Sequence, residues 1–118
     1  MSLSRGDIIL TLIPHAAGGR GKKRPGVVIQ ADSYNQSERH LIVAEITSNP
    51  SRATDPANLL IEIGMPDGQA TGLPQDSVVT CLQLATISGD RVDRVIGKLS
   101  PNLLAELDAC LKVVLNLP

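Results

Sequence analysis

A chain of 118 residues with a formal net charge of -1 has room for one domain and one core, and its 42% hydrophobic content excludes a disordered polyampholyte. There is no Trp or Phe and only one Tyr, so the core must be aliphatic, which counts against aromatic platforms for stacking bases. Charge is uneven: residues 1–50 carry six Lys or Arg against four Asp or Glu, and residues 51–118 carry five against eight, so any attraction for a polyanion must come from a local patch.

The first segment, Gly6 to Ile13, reads as a strand of Ile and Leu ended by Pro14. Its apolar run is six residues, Ile8 to Ile13, interrupted by Thr11. That is too short for a membrane span and lacks the form of a signal peptide, so a cytoplasmic protein is expected. Asp7 and Asp76 read as turn or solvated acids that can also pair with Arg5 or a basic loop.

Next comes GGRGKKRPGVVI, Gly18 to Ile29, in which Arg20, Lys22, Lys23 and Arg24 crowd between glycines and a β-branched run. Gly18 to Gly21 is expected as a turn and Val27 to Gln30 as a strand. The cluster is open to two readings, a solubilising hairpin or an anion site. In the second, Arg24 stands out: Pro25 biases it toward an extended backbone, and a guanidinium gives phosphate several donors without titrating near neutrality. His15, beside Pro14, is a surface loop residue or an acid–base group.

Asp32 to Arg39 is polar and loop-like. His40 to Thr47 follows as a strand, and the polar stretch Ser48 to Asn58 separates it from Leu59 to Ile63. His40 has no local ligand set, so metal binding is not expected there. Thr47, Ser48 and Asn49 cluster hydroxyl and amide groups at a strand end, where they either satisfy local turns or donate to phosphate oxygens.

Asp67-Gly68 marks a turn, and Asp76 to Ile87 yields two short period-two pieces around Ser77–Val79 and Leu82–Leu84. Gln83, an amide inside CLQLATI, reads as a group that satisfies buried backbone or faces a partner. Cys81 and Cys110 form no CxxC pair and read as small buried hydrophobes in a reducing compartment. Arg91 to Leu99 is ambiguous, with Val92, Val95 and Ile96 at helical spacing. Ser100-Pro101 opens the clearest helix, with Leu103, Leu104, Leu107, Leu111 and Val114 on one face. About five short strands before one terminal helix predict a small, strongly curved antiparallel sheet or barrel. Neither GxGxxG nor GxxxxGK[ST] is present, which leaves a nucleotide-binding α/β fold unsupported.

Taken in order, RGDIILTLIP, KKRPGVVIQAD, IVAEITSN, GLPQDSVVTCLQLATI and DRVDRVIGKLSPNLLAELDACLKVVLNL resemble the MazF/PemK toxin family, from Arg5 to Leu117. The resemblance implies a single toxin domain over residues 1–118: a mostly β, SH3-like or CcdB-like barrel of antiparallel strands with a C-terminal helix, assembled as a homodimer. It also implies a sequence-selective, metal-independent endoribonuclease that cuts single-stranded RNA, needs no cofactor, and is held in check by a cognate antitoxin lying over part of the RNA surface. Arg24 matches the family's catalytic arginine and Thr47 its active-site threonine. Gly6 and Asp7 match the opening RGD, and Gln83 matches a frequent glutamine of the late strand. On the same resemblance Arg20, Lys22, Lys23, His15, Ser48, Asn49 and Gln83 make up the RNA-binding surface. The chain departs from the family pattern at Leu82, where many relatives carry Asp or Glu, and at Thr80 and Ala85, where arginine occurs. The competing expectation is a noncatalytic module on the same barrel that binds an antitoxin or DNA gyrase.

Overall fold

The computed structural model describes residues 2–12 and 22–118. In chain order it forms β1 (Asp7–Leu12), β2 (Lys23–Val28), α1 (Asp32–Ser37), β3 (His40–Thr47), a 3-10 turn (Pro50–Arg52), β4 (Asn58–Ile61), α2 (Pro66–Gln69), β5 (Ser77–Ser88), a second 3-10 turn (Gly89–Arg91), β6 (Val92–Lys98) and α3 (Pro101–Leu115). The strands pair antiparallel, in the order β4-β5-β3-β2-β1-β6.

That order forces curvature. β5 and β6 lie four strand spacings apart, which in a flat sheet is roughly 19 Å. The three residues that join them, Gly89–Arg91, can bridge only about 14 Å. The sheet therefore curls until the end of β5 meets the start of β6, giving a strongly curved, barrel-like antiparallel sheet of six strands where about five were expected.

Curling buries both faces. Ile8, Val27, Ile46, Ile61 and Val79 pack with Leu103, Leu107 and Leu111 of α3, while Ile9, Val28, Val43, Ile87 and Val92 fill the opposite face. Neighbours such as Ile8 and Ile9, or Val27 and Val28, point to opposite faces, so doubly buried strands read as continuous apolar runs. Cys81 and Cys110 are both free and buried in the α3-side core, as expected.

The terminal helix follows its sequence signals. Ser100 Oγ accepts from the Leu103 N–H at 3.2 Å, Pro101 occupies the first turn, and Asn116 closes the other end in the left-handed region at φ 54°. Arg5 ties this helix to the N-terminal segment. Its Nη2 donates to Asp108 Oδ1 at 2.7 Å and its Nε to the Ile29 carbonyl at 2.8 Å. Arg5 thus pairs with Asp108. Asp7 accepts from the Ser4 N–H at 2.8 Å and Asp76 from the Ile63 N–H at 2.9 Å, the turn roles expected of them.

Two local expectations are corrected and one ambiguity is resolved. Residues 92–98, ambiguous in the sequence, form β6, which pairs with β1 through two register shifts that break strict alternation. Asp32–Ser37, expected as loop, is a short helix with no buried residue. Ser77–Ser88 is one strand, interrupted in its pairing but not in its course.

Candidate functional site

The basic stretch enters β2 earlier than its glycines suggest, so that Lys23, Arg24 and Pro25 already lie opposite Leu12, Thr11 and Leu10 of β1. Pairing of β2 with β3 starts only at Gly26, opposite Glu45, so the N–H that Pro25 lacks interrupts no bond of that ladder. Arg24 is consequently held in extended backbone on one side and open on the other. Its side chain is exposed.

Two loops bring hydroxyls and amides to the open side. Thr47 ends β3, and its Oγ1 accepts the Asn49 N–H at 3.1 Å. Asn49 Oδ1 in turn accepts the Ser51 N–H at 3.0 Å, capping the 3-10 turn. With a lone pair occupied by backbone, the Thr47 O–H has a defined direction in which to donate. Opposite, Gly72 takes φ +71° and lies so close to the Ile96 carbonyl that no Cβ would fit, which lets Leu73, Pro74 and Gln75 close over the same space.

The result is a concavity of about 270 Å³ in which Arg24, Pro25, Thr47, Ser48 and Gln75 face one another over Leu10, Leu73 and Ile96. Among the described residues that line it, Arg24 carries the one charged side chain. An anion of phosphate size would meet the Arg24 guanidinium and the Thr47 and Ser48 hydroxyls there, while the Ser77 hydroxyl donates to the Gln75 carbonyl, over an apolar floor that lowers the local dielectric.

Thr47 also belongs to a second concavity of about 200 Å³, with Asn49, Ser51, Asn58, Thr80, Leu82 and Gln83. The two concavities share Thr47. Arg24, Thr47 and Ser48 thus meet in the first part, and Thr47, Asn49 and Gln83 in the second. Of the two readings of Gln83, a group satisfying buried backbone or one facing a partner, its exposure removes the first. The reason is a break in pairing: Ala44 faces Leu84 while Glu45 faces Thr80, so Cys81, Leu82 and Gln83 have no partners on β3.

Of the remaining candidates, Lys22 is exposed just before β2. Lys23 pairs through Nζ with Asp93 Oδ1 of β6 at 3.0 Å. His15 and Arg20 lie outside the described residues. Ser51, Asn58, Gln75 and Ser77 line the groove without having been singled out from the sequence. Their only signal is polarity in loops and at strand ends. A larger concavity of about 510 Å³ lies elsewhere, around Asn35, Glu38, Arg39 and Asp90. Its two carboxylates suit a polyanion poorly. Among the described residues no three His, Cys, Asp or Glu side chains are grouped to hold a metal ion, and no helix is long and apolar enough to cross a membrane.

Comparison with known proteins agrees with the resemblance. A family model described as the PemK-like, MazF-like toxin of type II toxin-antitoxin system matches residues 4–115. Endoribonuclease MazF6 of Mycobacterium tuberculosis and endoribonuclease MazF2 of Mycobacterium bovis are each 37% identical over 120 residues, covering 99% of this chain and 100% of the relative. A solved endoribonuclease in complex with its cognate antitoxin, from a mycobacterial species, superposes with a TM-score of 0.77 at 18% identity. That match covers 98% of this chain and 97% of the other, and at such identity it is a likeness of fold.

Proposed function

The chain belongs to the PemK-like, MazF-like toxin family of type II toxin-antitoxin systems, and from that premise we propose that it is an endoribonuclease cutting single-stranded RNA without a metal ion. The observation that carries the reading is the shared concavity of Arg24 and Thr47. These two residues come from different strands and match the family's catalytic pair.

RNA supplies its own nucleophile. The 2′-hydroxyl attacks the adjacent phosphorus, the P–O5′ bond breaks, and the proton lost from the 2′ oxygen is balanced by one gained at O5′. The products are a 2′,3′-cyclic phosphate and a 5′-hydroxyl. What the protein must add is alignment and stabilisation of the extra charge on the crowded phosphorane. Arg24 neutralises that charge through its guanidinium, and the Thr47 hydroxyl donates to a non-bridging oxygen. Lys22 and Lys23, with His15 and Arg20, draw the strand in, while Ser48, Asn49 and Gln83 hold it along the groove.

The whole chain, residues 1–118, acts as one toxin domain in the cytoplasm and assembles as a homodimer. A cognate antitoxin inhibits it by covering part of the groove; its mycobacterial structural relative is itself solved in complex with a cognate antitoxin. The test is to incubate pure protein with a long, weakly structured RNA in excess EDTA and map the fragment ends. Internal cuts ending in cyclic phosphate, with DNA of the same sequence intact, are expected. Strict dependence on added magnesium would reject the mechanism.

A further inference from the structure

In sheet order Thr47 on β3 lies to one side of Arg24, and β1 and β6 lie to the other. On that other side Pro25 of β2 stands opposite Leu10 of β1, and Leu10 stands opposite Arg94 of β6. Side chains directly opposite across antiparallel strands share a face of the sheet. Pro25 and Leu10 both line the concavity of about 270 Å³. Arg94 therefore stands on the same face, one strand past Leu10 and about 10 Å from β2. Ile96, two residues further along β6, lines the concavity itself.

A bulge in β6 sets this arrangement. Leu10 pairs with Arg94 and Thr11 with Val92, which leaves Asp93 as the extra residue. Val92 is buried with Ile9 on the opposite face. Lys23, opposite Leu12, reaches Asp93 at 3.0 Å, so Asp93 turns to the face of Leu12 and Leu10. The bulge thus puts Asp93 and Arg94 on one face, where regular alternation would have separated them. Asp93 is engaged by Lys23. Arg94 is exposed and, among the described residues, has no ion-pair partner. Its guanidinium is held on paired backbone beside an anion site and is free to donate two parallel hydrogen bonds to a phosphate.

We propose that Arg94 forms a second phosphate subsite, which holds an RNA phosphate beside the one that is cut. The strand then runs from β6 across Leu10 and Pro25 toward Thr47. The proposal rests on the nuclease reading for the identity of the polyanion and for the position of the scissile phosphate at Arg24. Arg94 is a binding residue and takes no part in the chemistry. A phosphate contact carries no sequence information, so the subsite raises affinity and fixes the course of the strand without selecting a base.

One short, weakly structured RNA in two forms separates the subsite from the nuclease activity on which it rests. The first form is cleavable; the second is a 2′-fluoro strand that lacks the attacking hydroxyl and is scored by binding. Arg94→Gln should bind the 2′-fluoro strand about tenfold more weakly than the parent, the effect of losing a hydrogen bond to a charged group. Its slope of log affinity against log salt should be shallower by about 0.7, the worth of one phosphate contact on a single strand. Lys98→Gln removes the same charge from the other end of β6, opposite Asp7, and should leave affinity and slope near the parent's. Replacing the phosphates one at a time by uncharged methylphosphonate should weaken binding to the parent at one position to which Arg94→Gln is indifferent. Parent-like affinity and slope in Arg94→Gln, or equal losses in Arg94→Gln and Lys98→Gln, would overturn the subsite while cleavage by the parent leaves the nuclease standing. Losses confined to Arg94→Gln, with a parent that never cuts the cleavable strand, would overturn the nuclease and leave the subsite standing.

Discussion

Arg24 and Thr47 face the same concavity although Arg24 lies on the β1-paired end of β2 and Thr47 at the far end of β3. The β2–β3 ladder joins them: it begins at Gly26 opposite Glu45, two residues from each. A cation and a hydroxyl are thus fixed on either side of one gap by backbone pairing rather than by contact between them.

The Thr47 hydroxyl has two roles that substitution can separate. It accepts the Asn49 N–H and, in the proposed mechanism, donates to phosphate. Thr47→Val keeps the shape and removes both bonds, and should slow single-turnover cleavage about 10- to 100-fold, the worth of a hydrogen bond to a charged group. Thr47→Ser should restore most of the rate. Equal rates for Val and Ser variants would show that the hydroxyl plays no part.

The lysines should behave otherwise. Lys23 is bound to Asp93 in an ion pair open to solvent, so its loss costs at most about 1 kcal/mol of stability. Replacing Lys22 and Lys23 together by Gln should weaken RNA binding and reduce its salt slope, while leaving the rate at saturating RNA near the parent's. Titration of binding against salt, beside single-turnover kinetics, measures both quantities.

Alkaline stability should carry a thiol signature. Burial, reinforced by the neighbouring Cys110, pushes the Cys81 thiol from 9.0 up to about 12. Cys110 is raised as well, chiefly by burial. The folded state holds the Cys81 proton more tightly than the unfolded chain, so this contribution to stability is complete below about pH 9 and lost as pH rises toward 12. Urea unfolding at pH 8 to 11 should fall more steeply for the parent than for Cys81→Ala. Parallel pH profiles would contradict the burial of this thiol.

The elements legible in the sequence are those whose signals are local. β3 runs from His40 to Thr47 as the apolar pattern indicates, and α3 starts where Ser100 and Pro101 place it. α1 buries nothing and so has no apolar period to detect. β6 hides its alternation behind two register shifts, and β5 behind the break at residues 81–83. That break also explains Gln83, whose apolar neighbours suggest burial while the missing β3 partner leaves it exposed. Of the groove, Arg24 and Thr47 are legible because whole motifs surround them. Asn58 and Gln75 reach it from a strand start and a loop, with no pattern that distinguishes them from other polar residues.

In the proposed mechanism Arg24 stabilises the transition state of RNA cleavage. Single-turnover cleavage of one RNA oligonucleotide at saturating protein, in EDTA, tests it most directly when parent and Arg24→Ala are compared. Arg24 is exposed and belongs to neither buried core cluster, so the variant should fold as the parent does. The rate is expected to fall about 100-fold or more, the effect of losing a principal charge-stabilising donor. Cleavage by Arg24→Ala at the parent's saturated rate would contradict the claim.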